Sequence, residues 1–511
     1  MLGKLLPVFY LNDDVTMRSI MSGAYTGSPD GHAVYMKYPL TWLLSLLYRI
    51  AGWVPWMEIF FLICIVAGIV LVWRNVRKEN PAVGCLTMMA LLVLGVPLCF
   101  YMHYTLVAAY MAGIGILLYG KEQRKGVSML FLFLSYLVRS QVFFLAIPFL
   151  FVIFLWEGKE TLKVYRRAIL CVLCAVIVSA GIHALAYNVG AWRGYNRYND
   201  VRTQLYDYTD FLSTGEYVSN PQKYGMTDAQ CEVYSSYNLL LDDSINADSM
   251  QNLEKDISNY MKERRDEMEY LVSCLKSYYI YIRYDDRNMH LLLLAAYLVL
   301  AVDLLAEKAW TKLLLTGCLA GGRSLIWVYL IWQGRFPERV RDSLFYIELL
   351  LLIGMWLGNK TSAKRRTVGS ICLLLVVSIF GIGHGMETSK NVQGINETQK
   401  QWDYLVEYCE EEPDRLYLVD VFSSVAYAGR LFEKDSTNMQ LMGGWLSGSP
   451  IASDKMSDAK KVSVVVRSDR TYEWMESYLK EKYGVGEFTA TPEEVSFGGV
   501  SFYVVEFVQS P

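Results

Sequence analysis

Two adjacent carboxylates, Asp13 and Asp14 in NDDVTMRSI, stand just ahead of the first membrane-length apolar segment. A carboxylate pair can accept the proton of an attacking hydroxyl or contribute oxygens to a divalent cation. Asn12 or Asp13 can equally cap a helix running through VTMRSIMSGAY, a role short polar side chains fill well. The turn GSPDGH adds Asp30 and His32, two residues apart, although Asp30 also fits an ordinary turn. His103, His183, His290 and His384 fall at or near the ends of apolar runs, where interfacial histidines are common. Asp285 and Asp286 precede another such run and have Arg283 and Arg287 beside them as partners.

The cations are placed more tellingly. Arg139 interrupts VSMLFLFLSYLVRSQVFFLAIPFLFVIFLW, Arg323 lies inside a second apolar run, and GRFPERVR carries Arg335, Arg339 and Arg341. Ionisable groups at membrane depth are costly and face a protein cavity or a partner. The guanidinium fork matches phosphate. Carboxylates above and arginines below an outward cavity would accommodate a lipid phosphate carrying a polar head. Arg335 to Arg341 have the plainer alternative of anchoring at lipid headgroups.

The elements that must position these residues are membrane helices. Of 511 residues 53% are hydrophobic, the mean hydropathy is +0.23, and membrane-length apolar runs recur, so the chain reads as a polytopic membrane protein. A net charge of −3 argues against a nucleic-acid partner. Of the ten cysteines most lie in apolar runs as small core residues. Cys171 and Cys174 form a C-x-x-C in wholly apolar surroundings, a poor setting for metal or redox work. Cys231, Cys274 and Cys409 lie in polar regions and leave room for one disulfide.

About ten spans are expected, at 54–73, 81–101, 105–119, 127–138, 142–156, 168–187, 289–306, 310–332, 342–358 and 367–384. The run around Arg139 is either one long helix or two short ones. Two short helices bring the Lys- and Arg-rich loops GKETLKVYRR and NKTSAKRR to the same, cytoplasmic, side. Residues 11–53, 188–288 and 385–511 then face outward. MLGKLLPVFY is too short to span ahead of an outward Asp13, so either the true start lies upstream or the first helix is a stub. No cleavable signal peptide pattern is present, consistent with insertion by the chain's own helices.

Four regions follow: an N-terminal membrane region 1–187 with its acidic outer loop 11–53, a mostly helical outer subdomain 188–288, membrane helices 289–384, and an outer α/β domain 385–511. YPLTWLLSLLYRIAGWVPW reads as an interfacial helix. MTDAQ reads as a helix start capped by Thr227, and Leu253, Ile257, Tyr260 and Met261 share a helical face. In the tail, DRLYLVDVF, KKVSVVVRS and GVSFYVVEFV are strands, and RTYEWMESYLKEKYG is a helix closed by Gly484. A parallel or mixed sheet is expected, with MQLMGGWLSGSP as a Gly/Ser-rich loop reaching back toward the membrane face. No nucleotide-binding glycine motif accompanies these strands.

This layout resembles the GT-C superfamily of membrane glycosyltransferases. The match is NDD, then YTGSPDGHAVYMKYPLTWLLSLLYRI, with LVRSQVFFLAIPF, GRFPERV and MQLMGGWLSGSP similar to stretches in Gram-positive bacterial members of unassigned substrate. The family has a complete first membrane helix before its acidic loop, and here that helix is missing. The resemblance implies transfer of a sugar from a polyprenyl-phosphate donor to a cell-envelope glycan, lipid or protein. It places the active site and C-terminal domain outside a bacterial plasma membrane. The catalytic acid would be Asp13 or Asp14, acting as base in an inverting transfer. Arg139 or Arg339 would meet the leaving phosphate, with Asp30, His32 and Arg335 in the substrate site. Some members bind a divalent metal and others do not; Asp13 with Asp14 or His32 would supply ligands, without a closed set. A flippase or transporter of lipid-linked glycan and a non-catalytic envelope scaffold are the competing readings.

Overall fold

The computed structural model describes residues 6–119, 125–209, 211–285, 287–359, 363–452, 459–483 and 488–509. Asp286 and Gly484 lie outside the described residues. The chain divides into two compact units, each assembled from separate stretches. One comprises residues 1–10, 33–183 and 268–393, the other residues 11–32, 184–267 and 394–511.

The first unit is helical. Among the described residues seven helices are long and apolar enough to cross a membrane: Trp56–Glu79, Pro81–Phe100, Ser140–Glu157, Lys159–Tyr187, Arg287–Ala306, Trp310–Trp332 and Thr367–Glu410. Three further segments among the ten expected spans are also helices. Tyr104–Leu117 and Lys125–Val138 have 14 residues each, and Glu338–Gly358 carries several charges. Tyr104–Leu117 is buried at every position, and Glu338–Gly358 is buried from Arg341 to Leu357. These two helices pack on each other at the centre of the unit. A Cβ on Gly113 would sit 2.4 Å from Leu350, so the close approach requires glycine there. Asn80 caps Pro81–Phe100 through hydrogen bonds from the Ala82 and Val83 amides, with Pro81 at the first helical position. The sequence around Arg139 forms two helices, because Arg139 takes an extended conformation between Val138 and Ser140. YPLTWLLSLLYRI forms a separate helix, Tyr38–Ile50.

Inside this unit Arg323, Glu348 and Tyr297 join three helices. Tyr297 Oη donates to Glu348 Oε1 at 2.5 Å, and Arg323 Nε lies 3.5 Å from Glu348 Oε2. Asp285 pairs with Arg341 at 2.8 Å instead of with the sequence neighbours Arg283 and Arg287. Tyr281 and the buried stem of Arg341 select that partner, the guanidinium lying 4.8 Å from the Tyr281 ring.

The second unit contains a five-stranded mixed sheet in the order Met439–Leu441, Arg415–Val419, Lys461–Arg467, Val500–Gln509, Phe488–Phe497. The first two pairings are parallel and the last two antiparallel. Alternate residues of each strand serve opposite faces. Tyr417, Val419, Val465 and Phe502 pack with Leu405 and Cys409 of the helix ending at Glu410. Leu416, Leu418, Val464 and Val505 pack with Met475 of the helix Trp474–Tyr483. Burial on both faces explains why these strands read as continuous apolar runs. The strand Met439–Leu441 falls inside the stretch expected to be only loop, and Phe488–Phe497 has no counterpart among the expected strands.

Residues 192–264 supply the helical part of this unit around a tyrosine-rich core that includes Tyr198, Tyr217, Tyr234, Leu253 and Ile257. Thr227 and Gln230 form a reciprocal capping box at the start of Asp228–Ser236. Leu253 and Ile257 are buried on the helix Ala247–Arg264, whereas Met261, expected on the same face, is exposed. Its neighbour Arg265 is extended and ends the helix one turn later. All ten cysteines are free, Cys231, Cys274 and Cys409 being separately buried, so the disulfide left open by the sequence does not form.

Candidate functional site

The acidic residues belong to the second unit. The helix Asn12–Ser22 starts from Leu11, whose extended backbone offers no side-chain cap. Neither Asn12 nor Asp13 is therefore the cap: Asp13 and Asp14 lie in the first turn, where negative charge complements the helix dipole. Asp14 is fully buried. Asp13 Oδ1 accepts a hydrogen bond of 3.0 Å from Trp445 Nε1. Trp445 is itself fixed, its carbonyl accepting from Tyr195 Oη at 2.7 Å.

The glycines of MGGWLSG explain that placement. A Cβ on Gly443 would stand 1.8 Å from the Tyr237 carbonyl, and the Gly444 amide donates to that same carbonyl at 3.2 Å. Gly448 has φ +71° against the Tyr198 ring. The loop is thus pinned at both ends and delivers an indole N–H to Asp13.

Asp30 and His32 come together in the same unit. Asp30 Oδ1 accepts from the His32 amide at 2.6 Å and lies 2.7 Å from His32 Nδ1. The imidazole stacks on Trp192, with ring centroids 4.1 Å apart and planes 10° apart, and meets Tyr187 edge-on. Asp30 is a turn residue that also orients a histidine. Asp13, Asp14 and His32 are not gathered as metal ligands: among the described residues no three His, Cys, Asp or Glu side chains form a group able to hold an ion. His32 is committed to Asp30 and Trp192, and Asp13 to Trp445.

The arginines belong to the first unit. The helix break presents the Arg139 guanidinium 5.2 Å from the ring centroids of both Tyr35 and Tyr104. Those rings are 6.3 Å apart and nearly parallel. Arg139 Nη1 is buried without a hydrogen-bond partner among the described residues. Lys37 lies nearby, its amide donating to the Leu137 carbonyl at 2.8 Å and its ammonium facing the Tyr136 ring. Burial and then the Arg139 charge push the Lys37 ammonium below its ordinary range.

His103 reports on the same neighbourhood. It caps Tyr104–Leu117, accepting from the Thr105 amide at 2.9 Å, and is fully buried. Burial, then Arg339, then Arg139 hold it well below the ordinary imidazole value. Arg139 thus acts on Lys37 and, together with Arg339, on His103, and among the described residues no carboxylate pairs with Lys37, Arg139 or Arg339. Arg335 lies in the connection between Trp310–Trp332 and Glu338–Gly358.

Sequence reasoning missed Lys37, Trp445 and Trp192. Lys37, between Met36 and Tyr38 at the edge of an aromatic apolar segment, was a signal of the same kind as Arg139. Nothing in the local sequence pairs Trp445 with Asp13, 432 residues away.

Seven apolar helices among the described residues, and a unit that contains a mixed sheet, define a helical membrane-protein class. The chain matches no protein-family model, no curated protein and no solved structure.

Proposed function

We propose that this protein is a GT-C-type membrane glycosyltransferase. It takes a sugar from a polyprenyl-phosphate donor and adds it to an envelope glycan, lipid or protein outside a bacterial plasma membrane, with about ten helices across the bilayer. The observation that carries the reading is the set Lys37, Arg139 and Arg339, half-buried cations of a membrane unit with no carboxylate partner among the described residues. Uncompensated buried cations are costly, and a phosphate dianion or diester would offset that cost. In transfer, the acceptor oxygen bonds to the anomeric carbon as the carbon–oxygen bond to the lipid phosphate breaks. The acceptor proton goes to a carboxylate base, a role the resemblance gives to Asp13 or Asp14, and the electron pair leaves with the phosphate. Asp13 has the more accessible carboxylate of the acidic pair, and the Trp445 N–H orients it.

The test is genetic and chemical. Deleting the gene should remove one envelope glycan seen by mass spectrometry, and wild type should restore it. Asp13→Asn/Asp14→Asn and Arg139→Gln, expressed to the same level, should not. Restoration by the double Asn variant would sink the enzyme reading.

The buried Arg323–Glu348–Tyr297 group favours a second reading, a flippase of lipid-linked glycan, since intramembrane ionisable groups mark transport paths. Movement of a labelled polyprenyl-phosphate sugar across proteoliposomes, abolished by Glu348→Gln and indifferent to the Asn changes, would establish it.

A further inference from the structure

The second unit holds a cavity of about 440 Å³ that none of the chemistry above uses. It lies between the helix Asn12–Ser22, the end of the helix Ala363–Glu410 and the parallel edge of the sheet. Asn12, Val15, Thr16 and Ser19 line it, positions one helical face apart, while Asp13 is engaged by Trp445. The volume falls within the range of small-ligand sites.

The lining specifies the ligand's charge. Arg18 forms a two-point pair with Asp435, at 3.1 and 2.5 Å, and Arg430 bonds Asp403 at 2.5 Å and Glu433 at 3.2 Å. The exposed Glu407 and Lys434 are of opposite sign. The walls therefore present many fixed donors and acceptors with little net charge, which disfavours a strongly ionic ligand. Trp402 and Tyr427 also line the space, stacked with centroids 4.8 Å apart. Gln440 adds a buried side-chain oxygen that has no hydrogen-bond partner among the described residues. Paired carboxylates, an amide and stacked aromatics suit a neutral ring with apolar faces and a rim of hydroxyls.

We infer that this cavity is a saccharide-binding site for a neutral sugar unit, separate from the acidic pair. The test uses the full chain in a micelle whose detergent carries no sugar headgroup, titrated with cellotriose, maltotriose, mannotriose and chitotriose by saturation-transfer NMR. At least one should bind saturably with Kd on the order of 1 mM. Ser436→Trp, which fills the cavity from a loop, and Trp402→Ala, which removes the stacked indole, should each weaken that binding about tenfold or more. Melting curves confirm that the variants are folded, and Ser436→Trp carries the test if Trp402→Ala is not. Absence of binding by all four sugars overturns the inference. So does binding that survives Ser436→Trp, or a response to sodium phosphate in place of sugar. The titration needs no sugar transfer, so the glycosyltransferase reading and this site can fail independently.

Discussion

Arg139 gains its position from two aromatic rings and a helix break, so its substitutions separate charge from shape. Arg139→Lys keeps the charge but loses the planar fork between Tyr35 and Tyr104. It should retain fold and lower glycan restoration about tenfold, whereas Arg139→Gln should abolish restoration; quantifying the glycan over a time course distinguishes the two. His103 carries a pH signature. Its folded-state value is depressed, so the stability it contributes is complete above the ordinary value of 6.5 and is lost as pH falls toward the depressed folded value. His103→Asn keeps a capping side chain and removes the titration. Melting in detergent from pH 7.5 down to pH 5, values typical of histidine titration, should show a shallower loss of Tm for that variant; equal slopes would contradict the assignment. Gly443→Ala drives a methyl into the Tyr237 carbonyl and should destabilise the second unit by about 3 kcal/mol, visible as an early unfolding transition. At this scale the sequence showed which residue types were unusual, the carboxylate pair and the intramembrane arginines. It did not show their partners, because Trp445 reaches Asp13 only after the chain has returned across the fold.

Among elements, the strongest device is the trio of helices bearing Tyr297, Arg323 and Glu348. Glu348→Leu leaves a guanidinium without its carboxylate and should cost about 3–5 kcal/mol. Arg323→Leu/Glu348→Leu removes both charges and should recover most of that loss, as read from melting in one detergent. A double variant no more stable than the single would show that the pair does not set helix packing. Helix boundaries were legible where local chemistry punctuates them: Thr227 as the cap in MTDAQ, and Arg139 within an apolar run. The break at Arg265 and the exposure of Met261 were not, since a periodic face continues through RRDEMEY on the page and tertiary packing decides where it stops being buried. The short strand Met439–Leu441 was hidden because three residues with glycines after them carry too little alternation to distinguish strand from loop.

For the whole molecule, membrane embedding can be read with thiol chemistry. Cys171 and Cys174 are exposed on the 29-residue apolar helix Lys159–Tyr187. In native membranes a charged maleimide should leave them unmodified, while a lipid-soluble maleimide should label them; labelling by the charged reagent would place that helix in water. The chain passes between its two units five times, after residues 10, 32, 183, 267 and 393. The sequence by itself determined the apolar helices, the apolar runs of the buried strands in the tail and the residue types with no ordinary place in a bilayer, because hydropathy, periodicity and charge cost act on local segments. Only the tertiary structure decided that Trp445 holds Asp13. It alone brought Arg139 and Arg339 within electrostatic reach of His103 and Lys37 within reach of Arg139, and opened a cavity against the sheet. Those are contacts between distant segments, selected by packing and burial together, and no window of neighbouring residues contains both partners.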